Sequence, residues 1–254
     1  MKVLVKTLFV IILVLIVSTA CSIPFAPQLV KGSGEIVVEE RNVTNFDKIL
    51  VTGTGRVIIT QGESETLTVE TDDNLMEYIE TKVIGKTLEI GFTDDAIFSS
   101  RGGGAVLDPS DGFIFRISVV DLADVTISGA AQIEIDKLKT DSLNLVFNGA
   151  GDIVIEDLVA NDVDVKINGA GDISLVGYVE TQHIRLNGVG RYQAFDLESQ
   201  GTYVVISGAG DAEVWATQTL DVTISGAGNV QYYGSPNVNR NVSGLGRIQS
   251  MGDK

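Results

Sequence analysis

The sequence predicts an all-β fold, a right-handed parallel β-helix (β-solenoid) with about 20 residues per rung and Gly-x-Gly corners. The first observation behind it is a nine-residue phrase that recurs along the second half of the chain. It occurs as ISGAAQIEI (127–135), FNGAGDIVI (147–155), INGAGDISL (167–175), LNGVGRYQA (186–194), ISGAGDAEV (206–214), ISGAGNVQY (224–232) and VSGLGRIQS (242–250). The second is its spacing: the leading glycines Gly129, Gly149, Gly169, Gly188, Gly208, Gly226 and Gly244 follow one another at steps of 18 to 20 residues. The third is the patterning on either side of each corner. Apolar residues alternate with polar ones, as in Leu143, Leu145 and Phe147 before Gly149 and Ile153 and Ile155 after Gly151.

Each repeat reads as two strands and two bends. Period-two alternation rich in β-branched and aromatic residues is a strand signal, and the glycines between two such runs mark a sharp corner. The corner set is Gly129, then the pairs Gly149 and Gly151, Gly169 and Gly171, Gly188 and Gly190, Gly208 and Gly210, Gly226 and Gly228, and Gly244 and Gly246. Positive φ is the expected reason for glycine there. A second bend falls near 157–162 and again near 177–181. Strands this short cannot bury an apolar face alone, so equivalent strands must stack at about 4.8 Å per rung. An antiparallel hairpin array is the competing arrangement, and it gives no reason for the same corner to recur at this interval. Right-handed coiling is expected from the general bias of parallel crossovers.

Stacking assigns roles to columns of residues. Ser128, Asn148, Asn168, Asn187, Ser207, Ser225 and Ser243 precede the first glycines, where amide side chains can hydrogen-bond from rung to rung. Gln132, Asp152, Asp172, Arg191, Asp211, Asn229 and Arg247 follow the second glycine position. Asp152, Asp172 and Asp211 are the weak candidates for a calcium site, since Gly-x-Gly-x-Asp nonapeptides bind that ion in some β-helices. The spacing here lacks the second Gly-Gly pair, and Arg191 and Arg247 interrupt the column. Solvated corner residues, no metal and no cofactor are the expectation.

The front of the chain carries a second signal. Lys2 and Lys6 precede an apolar run over 7–17, and Val17-Ser18-Thr19-Ala20 leads into Cys21, the single cysteine. A short apolar region ending in small residues is a secretory signal, too short for an ordinary membrane span. Its Ala-Cys ending resembles a bacterial lipobox, which makes residues 1–20 a lipoprotein signal peptide and Cys21 the lipidated first residue. A plain signal peptide or an uncleaved anchor is the alternative. Residues 21–45, with Pro24, Pro27, Gly32 and Gly34, read as a tether. Cleavage removes two lysines and leaves 16 basic and 34 acidic side chains, a formal charge of about −18. Such a surface repels phosphate, which excludes nucleic acid as a partner.

The domain is expected to run from 46 to 250. VTGTGRVII (51–59) is a distant copy of the phrase, and Gly53 lies 76 residues before Gly129, near four periods of 19. LTVET (67–71), LEIGF (88–92) and FIFRISVV (113–120) have strand character between them, and 72–82 reads as a bend or one helical turn. Residues 94–112 break the pattern. Arg101-Gly102-Gly103-Gly104 lacks the Gly-Lys-Ser/Thr of a phosphate loop, so the segment reads as a loop insertion, the first place to look for a partner.

The opening FDKILVTGTGRVIITQGESETLTVETDDNLMEYIETKVIGKTLEIGF, the segment FIFRISVVDLADVTISGA and the SGAG/NGAG series together resemble the auto-transporter adhesin head GIN domain family, formerly a domain of unknown function. The resemblance covers roughly 46–232. It implies a right-handed β-helix on exported, often lipid-anchored bacterial proteins. Ala131 stands where the second corner glycine is expected, which suggests an end or transition rung.

The function expected is a non-enzymatic cell-envelope lipoprotein with an adhesion or scaffolding role. Its partners would be the lipid membrane through acylated Cys21 and an envelope protein or glycan, at the outer membrane or cell surface. A carbohydrate-active β-helix enzyme, lyase or glycoside hydrolase, is the alternative, as is an envelope ligand sensor. The enzyme would need clustered acids on one face. Asp152 and Asp172 are the one pair expected to be near enough to share a proton. The single histidine, His183, reads as a surface position.

Overall fold

The computed structural model describes residues 28–96 and 104–254. Stacked parallel strands about 20 residues apart build a β-solenoid of about 6 turns, and 71% of the described residues are strand. The register follows the sequence repeat: Ala150 pairs with Ala170, Ile153 with Ile173 and Ile167 with Leu186 across the Ala150–Ile167 and Ala170–Leu186 strands. Every second residue points inward. Ile153, Ile155, Val163, Val165 and Ile167 are all fully buried, and their equivalents one rung on, Ile173, Leu175, Ile184 and Leu186, sit above them. Each apolar side chain is therefore covered by its own repeat on the neighbouring rung, which no isolated hairpin could achieve.

The core columns trade volume between rungs. Ile173 is followed by Tyr192 and then by Ala212 in register, so the small alanine makes room beside the large ring. One inner column is interrupted by polar residues, with Val163, Gln182, Thr202 and Leu220 in succession. Gln182, Ser199 and Thr202 are buried. They are satisfied internally: the Tyr192 hydroxyl donates to Gln182 Oε1 (2.8 Å), Gln182 Nε2 donates to Ser199 Oγ (2.9 Å), and Ser199 and Thr202 hydroxyls meet at 2.7 Å.

The spacing between Gly53 and Gly129 does not represent four rungs. The Lys48–Val51 and Thr54–Gln61 strands pair directly with Asp124–Ile127 and Ala130–Ile135, so the two glycine rungs are adjacent. The residues between them leave the stack and come back on its other side. Thr87–Phe92 pairs parallel with Lys48–Val51, and Ile114–Val119 pairs parallel with Thr54–Gln61, forming a rung that is later in sequence but outermost in space. Antiparallel strands then close that end. Thr66–Asp72 runs against Ile114–Val119, Ile36–Arg41 runs against Thr66–Asp72, and Ile79–Ile84 runs against Thr87–Phe92. The turn expected within 72–82 is a 3-10 helix, Asp73–Tyr78, which buries Leu75 and Met76 under this cap.

Two segments differ from their sequence reading for the same reason. Residues 28–45 are not a free tether, because Gln28–Lys31 and Ile36–Arg41 are built into the cap. Within the expected loop 94–112, Ala105–Asp108 forms a strand parallel to Gln28–Lys31. Asp72 joins these pieces. It is fully buried, and its carboxylate accepts the Gly34 and Ser110 amides at 2.8 Å each.

The other end of the stack is the Asn237–Val242 and Leu245–Ser250 rung. Arg240 and Ser250 occupy the columns held by Val222 and Tyr232 one rung earlier. Polar residues at inward positions suit a terminal repeat whose outer face meets water.

Candidate functional site: the corner face

The glycine corners are close-packed rather than left-handed. Of the corner glycines named above only Gly151, at φ 131°, has positive φ. What forbids a side chain is the rung beneath. A Cβ on Gly169 would lie 2.0 Å from the Gly149 carbonyl oxygen, and one on Gly149 would lie 1.8 Å from that of Gly129. The same contact repeats at Gly188, Gly208, Gly226 and Gly244, each against the first glycine one rung back. The second column, Gly151, Gly171, Gly190, Gly210, Gly228 and Gly246, also lies against the backbone carbonyl below it. At the equivalent position Ala131 pairs with Gly55 on the rung beneath, and its side chain is buried.

Removing side chains from two columns leaves a shallow open groove along the corner. One stretch of about 520 Å³ is lined by residues from Gly151 to Asp211, and a second of about 450 Å³ by residues from Thr54 to Gly151, where the two meet. Its floor includes Ala130, Ala150, Ala170, Val189 and Ala209, the residues between the paired glycines. The sequence reading named the glycines and missed the groove; the run of alanines at that position is the signal that marks it.

Both flanks of the groove are ladders. On one side Asn168 Nδ2 donates to Asn148 Oδ1 (2.7 Å), and Asn187 Nδ2 donates to Asn168 Oδ1 (2.9 Å). On the other side Asp152, Asp172, Arg191 and Asp211 stand in register on successive rungs. Arg191 donates its amide (2.9 Å) and guanidinium Nε (3.0 Å) to the Asp172 carboxylate, which holds that carboxyl below the usual carboxylate range. The same ion pair, with Glu213 and Asp152 nearby, raises the Arg191 guanidinium above its ordinary value. Asp211 accepts the amide (2.7 Å) and side-chain Nδ2 (2.9 Å) of Asn229.

This geometry separates the weak cation candidates. Asp172 faces Arg191, Asp211 faces Asn229 and lies on the far side of Arg191 from Asp172, and only Asp152 and Asp172 are neighbours. Among the described residues no three His, Cys, Asp or Glu side chains come together. His183 lies in Ala170–Leu186 away from the groove, its ring stacked on Tyr203 one rung on (4.7 Å, 12° between planes). Cys21 and Arg101-Gly102-Gly103 lie outside the described residues, and among the described residues no helix is long and apolar enough to cross a membrane.

Comparison with known proteins supplies the family. The model of the family described as "Putative auto-transporter adhesin, head GIN domain" matches residues 45–236, and the chain belongs to that family. Among solved structures, a "putative adhesin" from Bacteroides fragilis superposes with a TM-score of 0.81 at 23% identity, covering 87% of this chain and 100% of that one. A "putative lipid binding protein" from Parabacteroides distasonis gives 0.70 at 22% identity, covering 88% and 100%. A "putative adhesin" from Parabacteroides merdae gives 0.68 at 24% identity, covering 88% and 99%. At these identities the likeness is one of fold. No curated protein matches the chain.

Proposed function

We propose that this protein is an exported, lipid-anchored component of the cell envelope, and that the corner face of its solenoid is an adhesive or scaffolding surface rather than a catalytic one. The observation that carries the reading is the groove. It repeats the same small floor and polar flanks from rung to rung, a geometry that suits an extended polymeric partner such as a glycan strand or a protein segment. Membership of an adhesin family and the adhesin-like solved neighbours support it. The enzyme alternative is disfavoured because Arg191 engages both oxygens of Asp172, its amide on Oδ1 and its guanidinium on Oδ2, and so ties up the carboxylate that a nucleophile or base would need.

The anchor rests on the sequence around Cys21. Cys21→Ser is expected to abolish fatty-acid labelling and to release the protein from the membrane fraction. A mutant that fractionates like the native chain, together with a native chain that takes no label, would remove the anchor from the reading. Ser22 gives no inner-membrane retention signal of the Asp type, so a two-membrane cell should place the protein in the outer membrane.

The surface is tested by filling the groove. Val189 is 62% exposed in its floor, so Val189→Trp adds bulk there without touching the core. Glycan-array or envelope pull-down signals of the detergent-solubilised native chain should fall in this variant while its melting curve is retained. Signals that survive the substitution unchanged would move the adhesive surface elsewhere.

A further inference from the structure

The repeats slip in register at several places on the flank away from the corner, and the largest of these slips builds a cage. Between the Val189–Ile206 and Ala209–Ile224 strands, Ala194 pairs with Val214 but Glu198 pairs with Trp215, so Phe195, Asp196 and Leu197 are extra residues on their rung. A bulge of this kind re-aims side chains out of the regular ladder. Phe195 is thrown outward and is 38% exposed. Trp215 and Tyr233 follow in register on the next two rungs.

The three rings and the displaced backbone surround a positive charge. Lys254 Nζ lies 5.2 Å from the Phe195 ring centroid, 5.1 Å from that of Trp215 and 5.7 Å from that of Tyr233. All three are within cation–π range. The ammonium also donates to the Phe195 carbonyl oxygen (2.7 Å) and to the Asp196 carboxylate. Beside it, Phe195, Tyr233, Glu213 and Gln231 line a cavity of about 180 Å³. Three aromatic faces, a carboxylate and a free carbonyl converge on one cation, and the chain supplies that cation from a residue on a different segment.

We propose that this bulge is a binding site for a primary alkylammonium group, the chemistry of a lysine side chain on a protein partner, and that Lys254 is an internal occupant which a ligand must displace. A primary ammonium fits better than a quaternary one, because two of its N–H groups find acceptors in Phe195 O and Asp196 while the rings cover the rest. The acidic surface of the protein, with 34 acidic against 18 basic side chains, favours the approach of such a cation. The site is distinct from the corner groove and stands whether or not the groove is adhesive.

Trp215 is the only tryptophan, so its emission reports on the cage directly. In the detergent-solubilised full chain carrying Lys254→Gln, n-butylammonium chloride titrated at constant ionic strength should change Trp215 fluorescence saturably. The native chain should need concentrations roughly tenfold higher or more, the ratio being set by the fraction of time Lys254 leaves the cage open. Tetramethylammonium should bind more weakly, n-butanol should give no saturable change, and Phe195→Ala added to Lys254→Gln should lose the response with melting unchanged. Identical titrations of the native and Lys254→Gln chains would overturn the role of Lys254. No response in a folded Lys254→Gln chain, an equal response to butanol, or tighter binding of tetramethylammonium would overturn the site as assigned.

Discussion

Gly169 lies so close to Gly149 on the rung below that a Cβ on Gly169 would stand 2.0 Å from the Gly149 carbonyl oxygen. The constraint is contact with backbone, which cannot swing aside as a side chain can. Gly169→Ala should therefore destabilise the fold by about 1–3 kcal/mol or more, and Gly169→Val by more still. Gly201 is the control: it is buried where Gly169 is half-buried, yet its nearest neighbour to a new Cβ is the Thr219 hydroxyl at 3.3 Å. Gly201→Ala should stay within about 1 kcal/mol of the native chain. Equal losses at the two sites in denaturant titration would show that stacking distance does not set the glycine columns.

The repeat unit was legible because its cause is periodic. Alternation of Leu143, Leu145 and Phe147 and recurrence of the Gly-x-Gly corner both follow from one rung covering the next, so pattern and packing carry the same information. The cap was not legible for the converse reason. Its strands Thr66–Asp72, Ile79–Ile84 and Ile114–Val119 show strand composition, but nothing in their alternation states whether a neighbour runs parallel or antiparallel. Dividing the interval from Gly53 to Gly129 by the period assumed a chain that never leaves the stack. The corner residues Asp152, Asp172 and Arg191 were named from the sequence, and their pairing followed from the stacking. The Lys254 cage was not foreseeable, since it depends on a register slip at Phe195–Leu197 that has no periodic signature.

The buried polar network should show strong coupling. Burial keeps the Tyr192 phenol protonated by raising its pKa far above the ordinary value, so it stays a donor to Gln182 at any working pH. Tyr192→Phe removes that donor, and Gln182→Leu leaves the hydroxyl without its acceptor; each should cost about 1–3 kcal/mol. The double variant should cost less than the sum of the two, because both members of the pair are then absent. Additive losses in chemical denaturation would mean that the hydrogen bond does not couple these residues.

Asp72 should behave as a clasp that acid opens. Its carboxyl is held below the usual range chiefly by the Ser110 amide, and also by the Gly34 amide. A depressed pKa means that the stabilisation is complete above the unfolded-state value of about 3.9 and is lost as pH falls through the lower folded-state value. Amide exchange at Gly34 and Ser110 should therefore accelerate in that acid range before exchange at core positions such as Ile153. Asp72→Asn should produce the same local acceleration at neutral pH, since a side-chain NH2 would face one of the two amide donors. Unchanged exchange at Gly34 and Ser110 in that variant would mean that other contacts hold these segments to the cap.

The Asp172–Arg191 pair decides between the surface and enzyme readings of the corner. Asp172 is depressed mainly by the Arg191 side chain and secondarily by the Arg191 amide. By the same sign rule its contribution is present above a pH of about 3.9 and disappears as the pH falls through the folded-state value. The pair is partly solvated, with side-chain exposures of 61% for Arg191 and 30% for Asp172. Its contribution to stability should accordingly be small, as for other solvated surface ion pairs. Arg191→Ala should raise the Asp172 pKa, read by carboxyl NMR titration, with little change in melting temperature. A retaining glycosidase needs one of two neighbouring carboxyls protonated while the other stays ionised. Arg191 engages both Asp172 oxygens, its amide on Oδ1 and its guanidinium on Oδ2, so the ionised carboxylate is tied up in the pair rather than free to attack a substrate. The native protein should therefore show no hydrolase or lyase turnover on polysaccharides with or without calcium. Turnover that is lost in both Asp152→Asn and Asp172→Asn, with folding intact, would replace the adhesive surface with an active site at these two rungs.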